Sequence, residues 1–323
     1  MNKLVSINIL TYNAQDLIEP CLKSVLEQTY PNIEILVVDN ASSDKTLEKI
    51  KNLPVKIIRN KENLGFSAGH NVGIRESKGE YILCLNQDVI LDKDFVRYAV
   101  EAMEKDNEIG AIQGKLYKKD KSLDTTGLLA FKNRRFVNRG QGEEDKGQHD
   151  KTEEIFGVDG AAPLYRRKAL EDIRINNEYF DEDFFMYKED VDLAWRLRLY
   201  GWEAVYEPKA IGYHLRGAGE KAVKNYLAIA SARKKNSEFA KFHSFKNDRL
   251  MRIKNELPAL FFRDFYRIII KEIAAWLYVL IFERYSWKAI RELFKQAPIA
   301  WRKRRIIMKR KRVGAKEMSK WFV

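Results

Sequence analysis

The first hundred residues alternate short β-rich runs with longer helical patterns. That alternation admits few folds other than strand-helix-strand units around a mostly parallel sheet. The runs are Leu4 to Leu10, Ile33 to Asp39, Val55 to Arg59 and Tyr81 to Leu85. Between the first two, Leu17, Cys21, Leu22, Val25 and Leu26 recur at helical spacing; after the second, Ser43 ahead of Thr46 and Leu47 opens another helix. In open sheets of this class ligands bind beyond the carboxyl ends of the strands. The polar residues just past the runs are therefore the first to weigh: Thr11-Tyr12-Asn13, Asp39-Asn40, Asn60 to Gly65, and Asn86-Gln87-Asp88.

Beyond Lys105 the pattern weakens. Strands are expected over Ile109 to Leu116 and Leu128 to Val137, and a mobile surface loop over the polar stretch Arg139 to Glu154. Phe180 to Tyr200 packs acidic and aromatic residues ahead of a helix ending at Gly201. From Ala222 the chain reads as helical almost to its end, with Pro258 and Pro298 expected as helix starts.

Charge divides the chain in two. The whole carries +13, but from Arg233 onward 25 basic residues face 8 acidic ones, a net of +17, leaving 34 basic against 38 acidic, or −4, before that point. Cys21 and Cys84 lie in apolar segments without metal-knuckle spacing, so a reduced, cytoplasmic chain is expected. The apolar run at the N-terminus is too short for a signal peptide. The longest uncharged run of the tail, Ile273 to Phe282, would extend only about 15 Å as a helix against a hydrocarbon core of about 30 Å, which argues against a bilayer span.

Four groups could carry chemistry. Asp39 ends an apolar strand, where a carboxylate can accept from a base imide or a ribose hydroxyl as readily as cap a turn. Asn86 and Asp88, alternate residues at a strand end, can offer oxygens to Mg²⁺ or Mn²⁺, with a turn before a helix near Asp92 as the plain alternative. Glu189 and Asp190 open a helix whose dipole favours ionised carboxylates, as a general base requires; neighbouring Asp181, Glu182 and Asp183 read as a solvated loop. His214 sits in Gly-Tyr-His-Leu-Arg-Gly, expected as a glycine-flanked loop after a short strand, with Arg216 near enough to neutralise phosphate.

Taken in order, several segments resemble the family 2 glycosyltransferases: Ser6-Ile-Asn-Ile-Leu-Thr-Tyr-Asn13, Leu22 to Pro31, and Ile35 to Asp44. Asn63-Leu-Gly-Phe-Ser-Ala-Gly-His-Asn-Val-Gly73 and Leu83 to Asp88 resemble the bacterial rhamnosyltransferase subgroup, and Gly160-Ala161-Ala162, Arg166-Arg167 and Phe184 to Arg196 continue the resemblance. It implies an α/β fold of the GT-A type with a mostly parallel central sheet over residues 1–221, plus a helical extension over 222–323. It further implies inverting transfer of a sugar, best taken as rhamnose from dTDP-rhamnose with a UDP-sugar next, to an acceptor hydroxyl in cell-surface polysaccharide or lipid-linked glycan assembly. By the same resemblance Thr11, Tyr12, Asn13, Asp39, Asn40, Asn63, Gly65, Asn86 and Gln87 form the donor site. Asp88 and His214 would hold a divalent cation, and Asp190, with Glu189 beside it, would be the catalytic base. Asn86 stands where the family's D-x-D has its first acid, which weakens the case for a strict metal requirement.

In the tail, Phe262, Phe265, Ile269, Ile273, Trp276 and Leu280 follow helical spacing, while Arg263, Arg267 and Lys271 share another face. Ten basic residues and no acid lie between Glu292 and Glu317. Attachment to an anionic membrane surface is expected, with packing of the helices on the catalytic domain as its alternative. A nucleic-acid binder would explain the tail but leaves the ordered acidic motifs of a net-negative body without a role. A sugar-nucleotide pyrophosphorylase would need a Gly-rich triphosphate loop that the N-terminal segment lacks.

Overall fold

A computed structural model of the chain describes residues 2–215, 233–234 and 236–323. The expected parallel strands form β1 (Val5–Thr11), β2 (Ile33–Asp39), β3 (Lys56–Arg59) and β4 (Tyr81–Asn86), with β1 hydrogen-bonded to both β2 and β4 in parallel register. They are nearly continuous apolar runs because helices cover both faces of the sheet. Val5, Ile7 and Ile9 are fully buried, and so are Ser6 and Asn8. Ser6 is satisfied by Glu34 and by the Gly79 amide.

The sheet widens through β6 (Ile109–Lys118), the short antiparallel β11 (Leu164–Arg166), and β12 (Glu203–His214), which runs parallel to β6. Among the described residues its order is β10-β12-β6-β11-β4-β1-β2-β3, where β10 is Glu153–Ile155, with β5 (Val89–Leu91) and β7 (Leu123–Thr125) as short additions at the β12 and β6 strands. The helices α1 (Ile18–Leu26), α2 (Thr46–Ile50), α3 (Gly65–Glu76), α4 (Phe95–Met103), α5 (Arg167–Ile173) and α6 (Glu189–Leu199) complete the α/β body. In α3, Gly69 lies so close to β1 that an added Cβ would stand 2.4 Å from Leu10.

Several expectations are corrected. The segment Leu128 to Val137 is a hairpin of β8 (Leu128–Ala130) and β9 (Phe136–Asn138), because the polar turn between them places Arg134 at φ 61° and sends its side chain into the protein. There it meets Glu256 at 2.6 Å and Asp264 at 2.8 Å. The loop after Arg139 is pinned by Lys115, which reaches Asp145 at 3.0 Å and Asp150 at 2.6 Å. The helix placed near Asp92 starts at Phe95, since Val89 to Leu91 pair with β12 first.

The helical tail packs on this body. Its elements are α7 (Glu238–Asn255), α8 (Pro258–Arg263), α9 (Phe265–Phe282), α10 (Trp287–Arg310) and α11 (Ala315–Met318). Pro258 starts α8 as expected, whereas Pro298 lies inside α10. A proline there forfeits one backbone hydrogen bond. The helix runs through it because Leu293, Ala300 and Ile307, seven residues apart, are buried on both sides of the break. The boundary expected at 221/222 falls outside the described residues.

Asp181 and its neighbours are no solvated loop. Lys254 of α7 donates to Asp181 and, at 2.8 Å, to Asp192; Lys303 of α10 reaches Asp181 at 2.6 Å, Asp183 at 2.9 Å and Glu178 at 2.8 Å. Asp192 also accepts from Arg196 at 3.0 Å and Asn255 at 2.7 Å. Asp181, Asp192 and Lys254 are buried, and the two lysines hold the Asp181 carboxyl well below the usual carboxylate range against the pull of burial. Replacing Lys254 by Ala takes one cation away from each of two buried carboxylates, leaving Asp181 to Lys303 and Asp192 to Arg196 and Asn255. We expect a loss of about 3–5 kcal/mol in denaturant unfolding, against under about 1 kcal/mol for the exposed Lys49 of the Lys49–Glu19 pair.

Candidate active site

The strand ends gather the expected residues along one edge of the sheet, around two adjoining cavities. The first, of about 530 Å³, is lined by Thr11, Tyr12, Asn40, Asn63, Gly65, Asn86, Gln87 and Asp88, closed over by Phe66, Phe185, Met186 and Phe239. The second, of about 580 Å³, is lined by Asn86, Asp159, Gly160, Lys188, Glu189, Asp190 and His214, with Arg135, Asn138 and Arg233 on its wall. Phe66, Asn86 and Met186 border both.

In the first cavity, Gln87 accepts from Thr11 Oγ1 at 3.0 Å and from the Tyr12 amide at 2.8 Å, tying the end of β4 to the end of β1. Asn40 spends its side chain on the scaffold, donating to the Gly65 carbonyl at 3.0 Å and accepting from Asn60 at 2.7 Å. Asn63 accepts from the Gly65 amide at 2.9 Å. Gly65 has φ 81°, and a Cβ there would collide with Phe185 at 2.6 Å, so glycine alone lets that ring cover the cavity. Asn13, which is exposed, and Asp39 are not part of the lining. Asn13 accepts from the Ser43 amide at 2.9 Å, and Asp39, almost wholly buried, from the Ser42 amide at 3.2 Å.

His214 is the last residue of β12 and not part of a loop after a short strand. Pairing with β5 and β6 carries the strand twelve residues and buries the ring. Its Nε2 lies 3.2 Å from Asp88 Oδ1 and its Nδ1 2.9 Å from Asp124 Oδ2. Asp124, fully buried in β7, escaped the sequence reading because a single Asp in Leu-Asp-Thr-Thr looks like a turn. Among the described residues no group of three or more His, Cys, Asp and Glu side chains is arranged to hold a metal ion. With Asp124 on Nδ1, however, Nε2 and the Asp88 carboxylate face each other, one nitrogen and one oxygen site. This pair fits a small divalent cation that takes its other ligands from substrate phosphate and water. Arg216 lies outside the described residues.

The Glu189–Asp190 end is held by an unusual backbone. Phe185, Tyr187 and Lys188 all have φ between 62° and 73°, conformations that non-glycine residues adopt at a cost. Asn247 of α7 compensates by donating to the carbonyls of Phe184, Met186 and Tyr187 at 2.8 to 2.9 Å. The helix dipole does not win here. Burial, reinforced by Asp159, pushes the Asp190 carboxyl up to about 6, despite Lys188 and the Val191 and Gly160 amides. Glu189 is buried with Oε2 lacking a hydrogen-bond partner, and burial followed by the Asp190 charge raises its carboxyl well above the usual range. The expectation that the helix dipole keeps a carboxylate ionised here is thus corrected: burial outweighs the dipole at both positions and raises both carboxyls. Asp159 accepts from Asn138 at 2.8 Å and from the Ala161 amide at 2.9 Å. It directly precedes the Gly160-Ala161-Ala162 segment and could have been found from that position.

Residues 6–174, more than half of the chain, match the profile of Glycosyl transferase family 2. The chain belongs to this family. It is 28% identical over 219 residues to poly-beta-1,6-N-acetyl-D-glucosamine synthase of Staphylococcus epidermidis, covering 65% of this chain and 50% of the relative. The chain thus spans about half the length of the curated relatives it matches. In fold it is similar to S. aureus TarS 1-349 in complex with UDP-GlcNAc (TM-score 0.56, 17% identity, 95% of this chain and 90% of that one). It is likewise similar to the mannosyltransferase PcManGT of Pyrobaculum calidifontis in complex with GDP-Man and Mn²⁺ (TM-score 0.54, 18% identity, 95% and 86%). These relatives are an N-acetylglucosamine polymer synthase and a mannosyltransferase, so the rhamnosyltransferase subgroup expected from the sequence is not confirmed.

A carboxyl whose proton affinity is raised by burial costs the fold stability once the pH passes its ordinary value, and the cost stops growing only at its raised folded value. An unfolded chain deprotonates Glu189 above its ordinary value of 4.5, whereas the native state resists, so this residue's contribution falls as pH rises. Glu189→Gln should therefore melt like the parent at pH 4. Above pH 5 it should gain on it by up to about 1.4 kcal/mol per pH unit, as followed by thermal melts across that range.

Proposed function

We propose that this family 2 glycosyltransferase transfers a sugar, with inversion, from a nucleoside diphosphate donor in the first cavity to an acceptor hydroxyl in the second. The observation that carries this reading is the shared border of the cavities: Asn86 lines both, Asp88 lies on one side, and Asp190 and His214 on the other. A diphosphate drawn toward Asp88 would leave its sugar at the border. Thr11, Tyr12, Asn63, Gly65 and Gln87 hold the nucleoside end, with Asn13, Asp39 and Asn40 bracing the segments around them. Asp88 and His214 are the residues that would hold Mg²⁺ or Mn²⁺, which when bound offsets the charge growing on the departing diphosphate.

Asp190 accepts the acceptor's proton as its oxygen attacks the anomeric carbon and the bond to the diphosphate breaks. A carboxyl near 6 suits this work: ionised at neutral pH, yet basic enough to take the proton. Glu189, buried beside it with its carboxyl raised well above the usual range, positions the helix end. Asp124 holds the His214 ring.

The S. epidermidis relative and the TarS complex support a UDP-sugar donor, N-acetylglucosamine first. The Asn63 to Gly73 segment supports dTDP-rhamnose as the second reading. The acceptor is a lipid-linked sugar or growing surface glycan at the cytoplasmic face of the membrane. The extension 222–323 brings the catalytic domain 1–221 there, a placement supported by the two free, buried cysteines and the +17 tail.

Thermal-shift screening and calorimetry with UDP-GlcNAc, dTDP-rhamnose and GDP-mannose, each with Mn²⁺, test the donor. UDP-GlcNAc should bind most tightly, and binding of none would defeat the proposal. Asp190→Asn should keep donor affinity while lowering turnover about 10²- to 10⁴-fold. In the parent, kcat/KM should fall as pH drops through about 6. Asp159→Asn removes a facing negative charge, so the acid limb of that profile should move to lower pH.

A further inference from the structure

The helix α9 is built inside out for a water-soluble protein. Two of its three charged residues point inward: Lys271 donates to the Arg134 carbonyl at 3.0 Å and to Asp248 at 3.2 Å, and Glu272 meets Arg249 at 2.9 Å and Arg252 at 2.8 Å. Trp276, expected on an apolar stripe, packs against Phe245 under Arg249. Its outer face is apolar instead. Ile270, Ile273, Leu277 and Ile281, spaced three or four apart, are 57%, 55%, 52% and 61% exposed. Phe282 and Trp287 extend this surface into α10, where Phe294 and Trp301 follow Trp287 at seven-residue intervals and are equally bare.

The charges around this face have one sign. Arg267, Arg284 and Lys288 are exposed at its two ends, while Arg263 is engaged by Asp264 at 2.8 Å. The acidic residues of the same stretch are turned inward, Asp264 to Arg134, Glu272 to α7 and Glu283 to Arg233. Among the described residues no helix is long and apolar enough to cross a membrane, and α9, at 18 residues, extends about 27 Å.

We propose that the outer face of α9, continued by Trp287, lies in the plane of a bilayer surface and takes anionic phospholipid. The apolar side chains enter the boundary between headgroups and acyl chains, while the cations at both ends meet the lipid phosphates. Tyr266 and Trp287 stand at the two ends, where amphipathic rings favour the interface. A second copy of the chain is the poorer occupant, because a two-fold contact through this face would bring the cationic ends together without an exposed acid to meet them. This surface rests on the membrane placement proposed above and names the face and lipid that serve it, but it needs no bound donor, so it can fail without the glycosyl-transfer reading failing.

Flotation of the full chain, without donor, on phosphatidylcholine vesicles with and without phosphatidylglycerol tests it. Binding should require phosphatidylglycerol, weaken with salt, and fall about tenfold or more in Ile273→Asp/Leu277→Asp, whose positions are exposed and whose thermal melt should match the parent. Leu26→Asp, on an exposed leucine of α1, should float like the parent. Equal flotation of the parent and the double variant would overturn the proposal, as would equal binding to neutral vesicles. Sedimentation equilibrium without lipid that shows a dimer lost in the double variant would overturn it in favour of self-association. Donor binding measured on the same samples reports separately on the transferase reading.

Discussion

The rest of the structure depends on two buried lysines. Lys254 and Lys303 come from the helical tail, and the carboxylates they meet, Asp181, Asp183, Glu178 and Asp192, all belong to the segment around the start of α6. Charges taken from water are tolerated only when well matched. This match welds α7 and α10 to the stretch that delivers Asp190. Asn247, about two turns before Lys254 on α7, uses its amide to hold three carbonyls of the strained Phe184 to Tyr187 turn. The tail thus reaches the second cavity twice, once through charge and once through backbone hydrogen bonds.

That anchoring explains why burial overrides the helix dipole at Glu189 and Asp190. A dipole is worth about 0.3–1 kcal/mol at an exposed helix end, whereas taking a carboxylate out of water costs several. At this end α7 and Asp159 crowd in and water is largely displaced. Lys188 opposes the shift at both carboxyls, and it acts from a left-handed backbone position that Asn247 and its turn maintain. The same packing that fixes the position of Asp190 therefore also sets its proton affinity.

Local periodicity was a good guide where one segment decides its own fate. The strands β1 to β4, the helices between them, and the polar residues at their ends follow from runs of five to eight residues and from the rule that ligands gather at the carboxyl edge. What escaped depends on partners distant in sequence. Asp181 looks like a loop residue until lysines 73 and 122 positions away are brought against it. Asp124 looks like a turn until His214, 90 residues on, closes over it. Pro298 resembles a helix start, yet burial of Leu293 and Ala300 on either side carries the helix through it. The family motifs pointed to the strand-end half, but the cavities there are also shaped by Phe66, Met186 and Phe239, which carry no polar signature in the sequence.

Net charge is the sharpest case. A tail of +17 invites the view that its cations all face an anionic partner, but a large part of that charge is internal. Lys254, Lys271, Lys303, Arg249 and Arg252 are spent on buried acids of the body and of the tail itself. Only the remainder, Arg267, Arg284 and Lys288 among them, is available to an outside surface. The internal pairs have a geometric consequence: satisfying Lys271 and Glu272 from within turns α9 so that Ile270, Ile273, Leu277 and Ile281 must point away from the protein. Exposed apolar area of that extent is costly in water, at about 25 cal/mol per Å², and it is compensated once something apolar covers it. The inward salt bridges and the outward apolar face are two sides of one helix orientation, so a substitution that frees Lys271 from Asp248 would loosen the surface as well as the core.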